Sequence, residues 1–155
     1  AAARALGVRS LRDASLEMLA QFSASLEPVL QRRARHVIGE IERTETAAKC
    51  LAAGDWTRLG ELMYASHASL RDDYEVSCQE LDLLVELARK HGAGGKVIGS
   101  RMTGGGFGGC TVSLVRKDHL EPLAAAIGAD YQRQTGIAPS LFTTRPAQGA
   151  QIVRG

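Results

Sequence analysis

Up to Gly92 the apolar positions recur every three or four places, and beyond it they alternate, so the chain reads as helices first and strands later. Residues 1–6 form a short helix that Gly7 can close. Ser15 caps a second helix running to about Phe22, and Pro28 suits the first turn of a long one. In that long helix Leu30, Ala34, Val37, Ile41, Ala48 and Leu51 fall on one stripe, ending at Gly54. Asp55 caps the next, which carries Leu59, Leu62, Met63, Ser66 and Leu70 on one face. Ser77 and Glu80 have capping-box spacing ahead of a helix with Leu81, Leu84, Val85 and Ala88 inward, closed by Gly92.

Residues 96–102 and 110–115 then read as strands. Asp118 caps a helix with Leu120, Leu123, Ala124, Ile127 and Tyr131 inward and Gly136 at its end. Residues 141–144 read as another strand and residues 151–153 as a short one. The order helix, strand, strand, helix, strand is that of a split β-α-β unit, an α+β fold with an antiparallel sheet. The unit's first strand is not obvious here and is expected upstream. There is no internal repeat or low-complexity linker.

Between the two middle strands lies the run Gly99-Ser100-Arg101-Met102-Thr103-Gly104-Gly105-Gly106-Phe107-Gly108-Gly109-Cys110. Glycine costs backbone entropy on folding but reaches positive φ and lets another molecule approach the main chain. Gly104, Gly106 and Gly109 fit G-x-G-x-x-G, yet a strand follows instead of the helix that a dinucleotide fingerprint must open. The nucleotide loop G-x-x-x-x-G-K-[ST] fails as well, because Cys110 and Thr111 follow Gly109 and no lysine is in place. From the loop alone, a plain hairpin connection and a ligand loop rich in bare N–H groups are equally served.

Composition narrows the partners. At 155 residues and 45% apolar, the chain can bury the core of one ordinary domain. A formal charge of +2 is too balanced for nucleic acid, and no apolar run reaches the ~20 residues of a membrane span. Arg32, Arg33 and Arg35 are the densest basic cluster, but Glu40, Glu42 and Glu45 follow on the same helix, as on a solvated face. Cys50, Cys78 and Cys110 are odd in number and widely spaced, which fits a reducing cytoplasm and no zinc site. His36, His67, His91 and His119 share no metal-ligand spacing; His36 and His67 read as packing or capping residues within helices.

The wider sequence resembles the galactokinase family within the GHMP small-molecule kinases. The resemblance rests on Arg32 to Val37, Glu61-Leu62-Met63, residues 66–78 (SHASLRDDYEVSC), Glu80-Leu81-Asp82 and residues 99–110. It covers almost the whole chain, with Gln79 replacing the family's usual proline. It implies a ferredoxin-like GHMP-kinase C-terminal domain over residues 1–155. The family's sugar segment, phosphate loop and catalytic aspartate belong to an amino-terminal half with no match here. The expectation is therefore a fragment, inactive alone, of an enzyme that moves the γ-phosphate of ATP, with Mg2+, to the C1 hydroxyl of galactose. The resemblance leaves open a relative acting on N-acetylgalactosamine and a non-catalytic galactose sensor.

Under this reading no catalytic residue lies in the chain, and galactose and MgATP bind through the missing half. The loop Thr103, Gly104, Gly105, Gly106, Phe107, Gly108 and Gly109 would close the site beside sugar and phosphate, and side chains at Gly105 or Gly106 would intrude on the ligand or the facing domain. Arg101 can contact phosphate or pair with an acid. Asp72 and Asp73 invite a metal but are expected to fix a turn and pair with Arg71 or a facing arginine. Tyr74 and Ser77 read as domain-packing and capping residues, and Cys110 as a small buried residue starting a strand.

Overall fold

Local chemistry at the helix ends sets several of the element boundaries. In a computed structural model that describes residues 1–147, 149 and 152, the order is α1 (Ala2–Ala5), α2 (Leu16–Gln21), α3 (Pro28–Ala53), α4 (Trp56–Asp72), α5 (Gln79–His91), β1 (Val97–Thr103), β2 (Cys110–Val115) and α6 (Leu120–Thr135). Short 3-10 turns occupy Leu11–Asp13, Ser23–Ser25 and Lys117–His119. Ser15 Oγ accepts the Met18 N–H at 3.2 Å, and Asp55 Oδ1 accepts that of Arg58 at 3.0 Å. Each satisfies a donor that the first helical turn leaves free. Gly54 and Gly136 adopt left-handed φ of 69° and 73° just past α3 and α6, as expected of C-terminal glycines.

Two expected caps are absent. Cys78 holds the N-cap of α5 with no side-chain bond, because Ser77 is engaged elsewhere: its Oγ donates to Asp82 Oδ1 at 2.5 Å. Asp118 lies inside the 3-10 turn before α6, which puts His119 at that helix's N-cap. A reciprocal capping box does form at Ser10 and Asp13, which the Ser-x-x-Asp spacing alone could have revealed.

β1 and β2 form an antiparallel ribbon, with Thr103 opposite Cys110 and Met102 opposite Thr111. α4 and α5 pack on β1, α3 packs on α4, and α6 packs on α5. The α4–β1 crossing is close because two glycines meet there. A Cβ on Gly99 would lie 2.9 Å from the Cα of Gly60, and one on Gly60 would collide with the carbonyl of Ile98. Four apolar clusters fill the interior. The first joins Leu6, Leu19, Leu26, Ala34 and Ile38, and the second joins Cys50, Leu59 and Leu62. The third, Leu70, Leu81 and Met102, lies beneath the glycine loop's entry, and Ala88, Val97 and Leu123 form the fourth.

α3 departs from its expected stripe. Ala34 is buried, but so are His36, Ile38, Gly39 and Cys50, whereas Ala48 and Leu51 are exposed. The helix packs on α1 and α2 at its start and on α4 later, so no single face is apolar throughout.

The chain is α+β, with two antiparallel strands among the described residues. The strand expected at residues 141–144 does not form. A strand exists through its partner, and β2 carries none on its outer edge among the described residues. Leu141 turns back toward α6 instead, where its Cδ1 sits 3.1 Å from the Cβ position of Gly128. The short strand expected at residues 151–153 falls outside the described set. Among the described residues no helix is long and apolar enough to cross a membrane.

Candidate functional site

The glycine loop leaves β1 at Thr103 and re-enters the ribbon at Cys110. Gly104, Gly106, Phe107, Gly108 and Gly109 have φ of 84°, 86°, 59°, 125° and 104°, in the region that side chains disfavour. Gly105 is not among these left-handed residues, and a Cβ there meets open space. Gly106 is the opposite case: a Cβ would stand 2.7 Å from the Cβ of Val76 and inside contact with its carbonyl. The intrusion expected at Gly106 therefore falls on this chain's own backbone, and of the two positions it is Gly105 that faces open space. The Phe107 N–H donates to the Val76 carbonyl at 2.7 Å, while its side chain is 79% exposed.

Val76 belongs to the turn between α4 and α5, and that turn is tied to α3. Arg32 and Arg33 meet the two Glu75 carboxylate oxygens at 3.0 and 2.5 Å, and Arg35 reaches Asp73 at 3.2 Å. Arg33 also donates to the Asp73 carbonyl. The Arg33 bond, with the charges of Arg32 and Arg33, outweighs desolvation and holds the Glu75 carboxyl below its usual range. Tyr74 stacks on His36 with ring centres 4.5 Å apart. The basic cluster expected to be merely solvated thus anchors the turn beneath the loop. Loop and turn share one face, and an open groove of about 630 Å³ runs beside them, lined by Ala2, Leu30, Arg33, Tyr74, Val76 and Phe107 among others.

Where the strand gives way to the loop, side chains take both polar groups of one residue. The Met102 N–H donates to His67 Nδ1 at 3.2 Å, and the Met102 carbonyl accepts from Arg101 Nε at 3.1 Å. Arg101 lies 3.6 Å from Glu40, so of its two expected roles the structure displays the acidic pairing. Burial raises the Glu40 carboxyl's pKa, but bonds from Ser66 and Arg43 and the charges of Arg43 and Arg101 outweigh it, and the net shift is downward.

The remaining candidates are accounted for locally. Asp72 is paired with Arg71 at 2.7 Å, and that bond keeps its carboxyl low. Asp72 and Asp73 are each committed to an arginine, and no group of three metal-ligating side chains occurs among the described residues. Cys110 is exposed at the hairpin neck, opposite Thr103 in the ribbon's last pair, contrary to the buried position expected of it. Cys50 is buried and Cys78 half-buried, all three as thiols.

The comparisons with known proteins agree on one family. Residues 47–133 match the family described as "GHMP kinases C terminal". The chain is 44% identical over 151 residues to a galactokinase of Actinobacillus succinogenes, covering 96% of the chain and 39% of that relative. It also superposes on a crystal structure of Lactococcus lactis galactokinase complexed with galactose, with a TM-score of 0.78 and 42% identity. That match covers 84% of this chain and 33% of the solved one. The chain thus spans well under half the length of either relative.

Proposed function

The chain belongs to the GHMP kinases, whose C-terminal domain it carries, and from that premise we propose that it is the C-terminal part of a galactokinase. The whole protein transfers the γ-phosphoryl group of ATP, taken as MgATP, to the C1 hydroxyl of galactose, giving galactose 1-phosphate and ADP. The observation that carries this reading is the 44% identity to a galactokinase across nearly the entire chain.

In this reading the chain contributes positioning. Phosphoryl transfer depends on holding the reactants and stabilising charge more than on covalent chemistry by the protein. Three of the four residues from Gly106 to Gly109 carry no side chain, so a polar ligand can approach their main chain, while the Phe107 N–H is taken by Val76. Gly105 leaves room for a ligand to approach the main chain. No side chain here is given a proton-transfer role: Asp72 and Asp73 are paired with arginines, and His36 and His67 are buried. The base that accepts the C1 hydroxyl proton, and the groups that hold the metal and phosphates, belong to an amino-terminal half, and the working site is cytoplasmic.

A coupled assay of ADP release with galactose and MgATP tests the proposal. The full-length protein turns over and this chain alone does not. Absence of turnover in the full-length protein, or turnover by the isolated chain free of host kinase, overturns it.

A further inference from the structure

We propose that His67 is a positioning residue for the glycine loop, its neutral imidazole clamping the backbone of Met102 at the point where β1 becomes the loop. The inference rests on the kinase reading for its consequence in catalysis, but its geometry stands within this chain.

Met102 pairs with Thr111 across the ribbon, yet both its N–H and its carbonyl are bonded to side chains, so both point away from β2. Its side chain is fully buried. The residue is thus held on every side, one position before Thr103. The N–H can only donate, so Nδ1 of His67 must carry a lone pair and the ring proton resides on Nε2. Nε2 lies 3.2 Å from Asp82 Oδ1, the same oxygen that accepts from Ser77. A chain of contacts therefore runs from Ser77 in the α4–α5 turn, through Asp82 of α5 and His67 of α4, to the start of the loop. The middle of the loop is fixed to the same turn by the Phe107–Val76 bond. Two separate ties, one polar through a side chain and one through backbone, thus set the loop against residues 75–77.

Protonation would undo the first tie, because a second ring N–H would face the N–H of Met102. The charged groups around the ring are Asp82 from α5, Arg71 and Asp72 from α4, and Arg101 from β1. Asp82 favours the imidazolium, whereas Arg71 and Arg101 disfavour it together with burial, the largest effect, and the ring's pKa is lowered.

Amide hydrogen exchange in this chain tests the proposal directly. His67→Leu removes the acceptor, whereas His67→Asn keeps an oxygen near the place of Nδ1. The leucine variant speeds exchange at Met102 and Thr103 through Gly109 by about tenfold, leaving Ile38 unchanged, and the asparagine variant largely restores protection. Once intrinsic pH dependence is removed, protection at Met102 in the unsubstituted chain also falls on acidification, setting in below the ordinary histidine value of 6.5 because the pKa of His67 is lowered, and in the asparagine variant it does not. If the leucine variant does not fold, this pH comparison decides alone. Unchanged loop exchange in a folded leucine variant, equal acceleration at Ile38, or an acid response that persists in the asparagine variant overturns the proposal. In the full-length protein the asparagine variant retains turnover at low pH better than the parent. A parent without galactose phosphorylation would overturn the functional reading and leave the exchange result standing.

Discussion

A methyl group on Gly106 would strike the backbone of Val76, whereas one on Gly105, the neighbouring glycine, would touch nothing. The two positions therefore separate the loop's role in the fold from its role toward a ligand. Gly106→Ala is strained both by its φ of 86° and by the collision, and lowers both thermal stability and activity of the full-length protein. The expected destabilisation is on the order of 1–3 kcal/mol. Gly105→Ala leaves the melting temperature unchanged and lowers turnover in the ADP-release assay. Wild-type kinetics for Gly105→Ala would mean that nothing approaches the loop at that point.

The crossing of α4 over β1 sets two effects against each other at Gly60. In an exposed helix, replacing glycine by alanine stabilises by about 1 kcal/mol. Here the added methyl would enter the Ile98 carbonyl. Overpacking of this kind costs about 1–3 kcal/mol, so the clash outweighs propensity and Gly60→Ala lowers the urea midpoint. A raised midpoint would show that α4 and β1 can separate without loss.

Acid weakens the fold in two stages. Burial is the main cause that lowers the pKa of His36 and His67 below 6.5. The unfolded chain then binds more protons than the native one as pH falls from about 6.5, and stability drops with pH across that window. The carboxyls of Glu40 and Glu75, also lowered, add a second loss as pH falls below their ordinary value of 4.5. Urea unfolding followed from neutral to acid pH shows a decline beginning near 6.5. Stability that is flat down to 5 would contradict the burial of two neutral imidazoles.

Phe107 exposes an aromatic ring beside a largely apolar groove, on a face shared with Tyr74 and Val76. The isolated chain is expected to self-associate through this face, and Phe107→Asn reduces that association in sedimentation velocity. Asparagine also tolerates the left-handed backbone better, so the variant melts no lower than its parent. Concentration-independent sedimentation of the unsubstituted chain would show that the face is content in water.

What could be read from the sequence was mainly what a few neighbouring residues decide. Ser15, Asp55, Gly54 and Gly136 end helices through bonds or dihedrals contained within one turn, and each stands where its chemistry indicates. Ser77 has the right spacing for a cap, but a tertiary bond to Asp82 competes for its hydroxyl. Residues 141–144 have a strand's composition, but they do not pair with the ribbon, and Leu141 lies against α6 at Gly128 instead. The glycine loop is visible as a run of letters, and its kinship to a kinase motif follows from the string around it. Its attachment to Val76, the glycine contact between Gly60 and Gly99, and the clamp on Met102 join residues about 30 or more positions apart, beyond the reach of local periodicity.

Glu75 and Phe107 are the non-glycine residues with positive φ among those described, and they flank the two ends of a single hydrogen bond, from Phe107 to Val76. Each conformation is unfavourable for a residue bearing a Cβ, and each is tolerated only while the other side of the contact holds its place. The loop and the α4–α5 turn therefore behave as a spring-loaded catch. Releasing one relaxes the other, so they are expected to open together in one step, and anything that grips the loop from outside also stiffens the arginine-anchored turn beneath it.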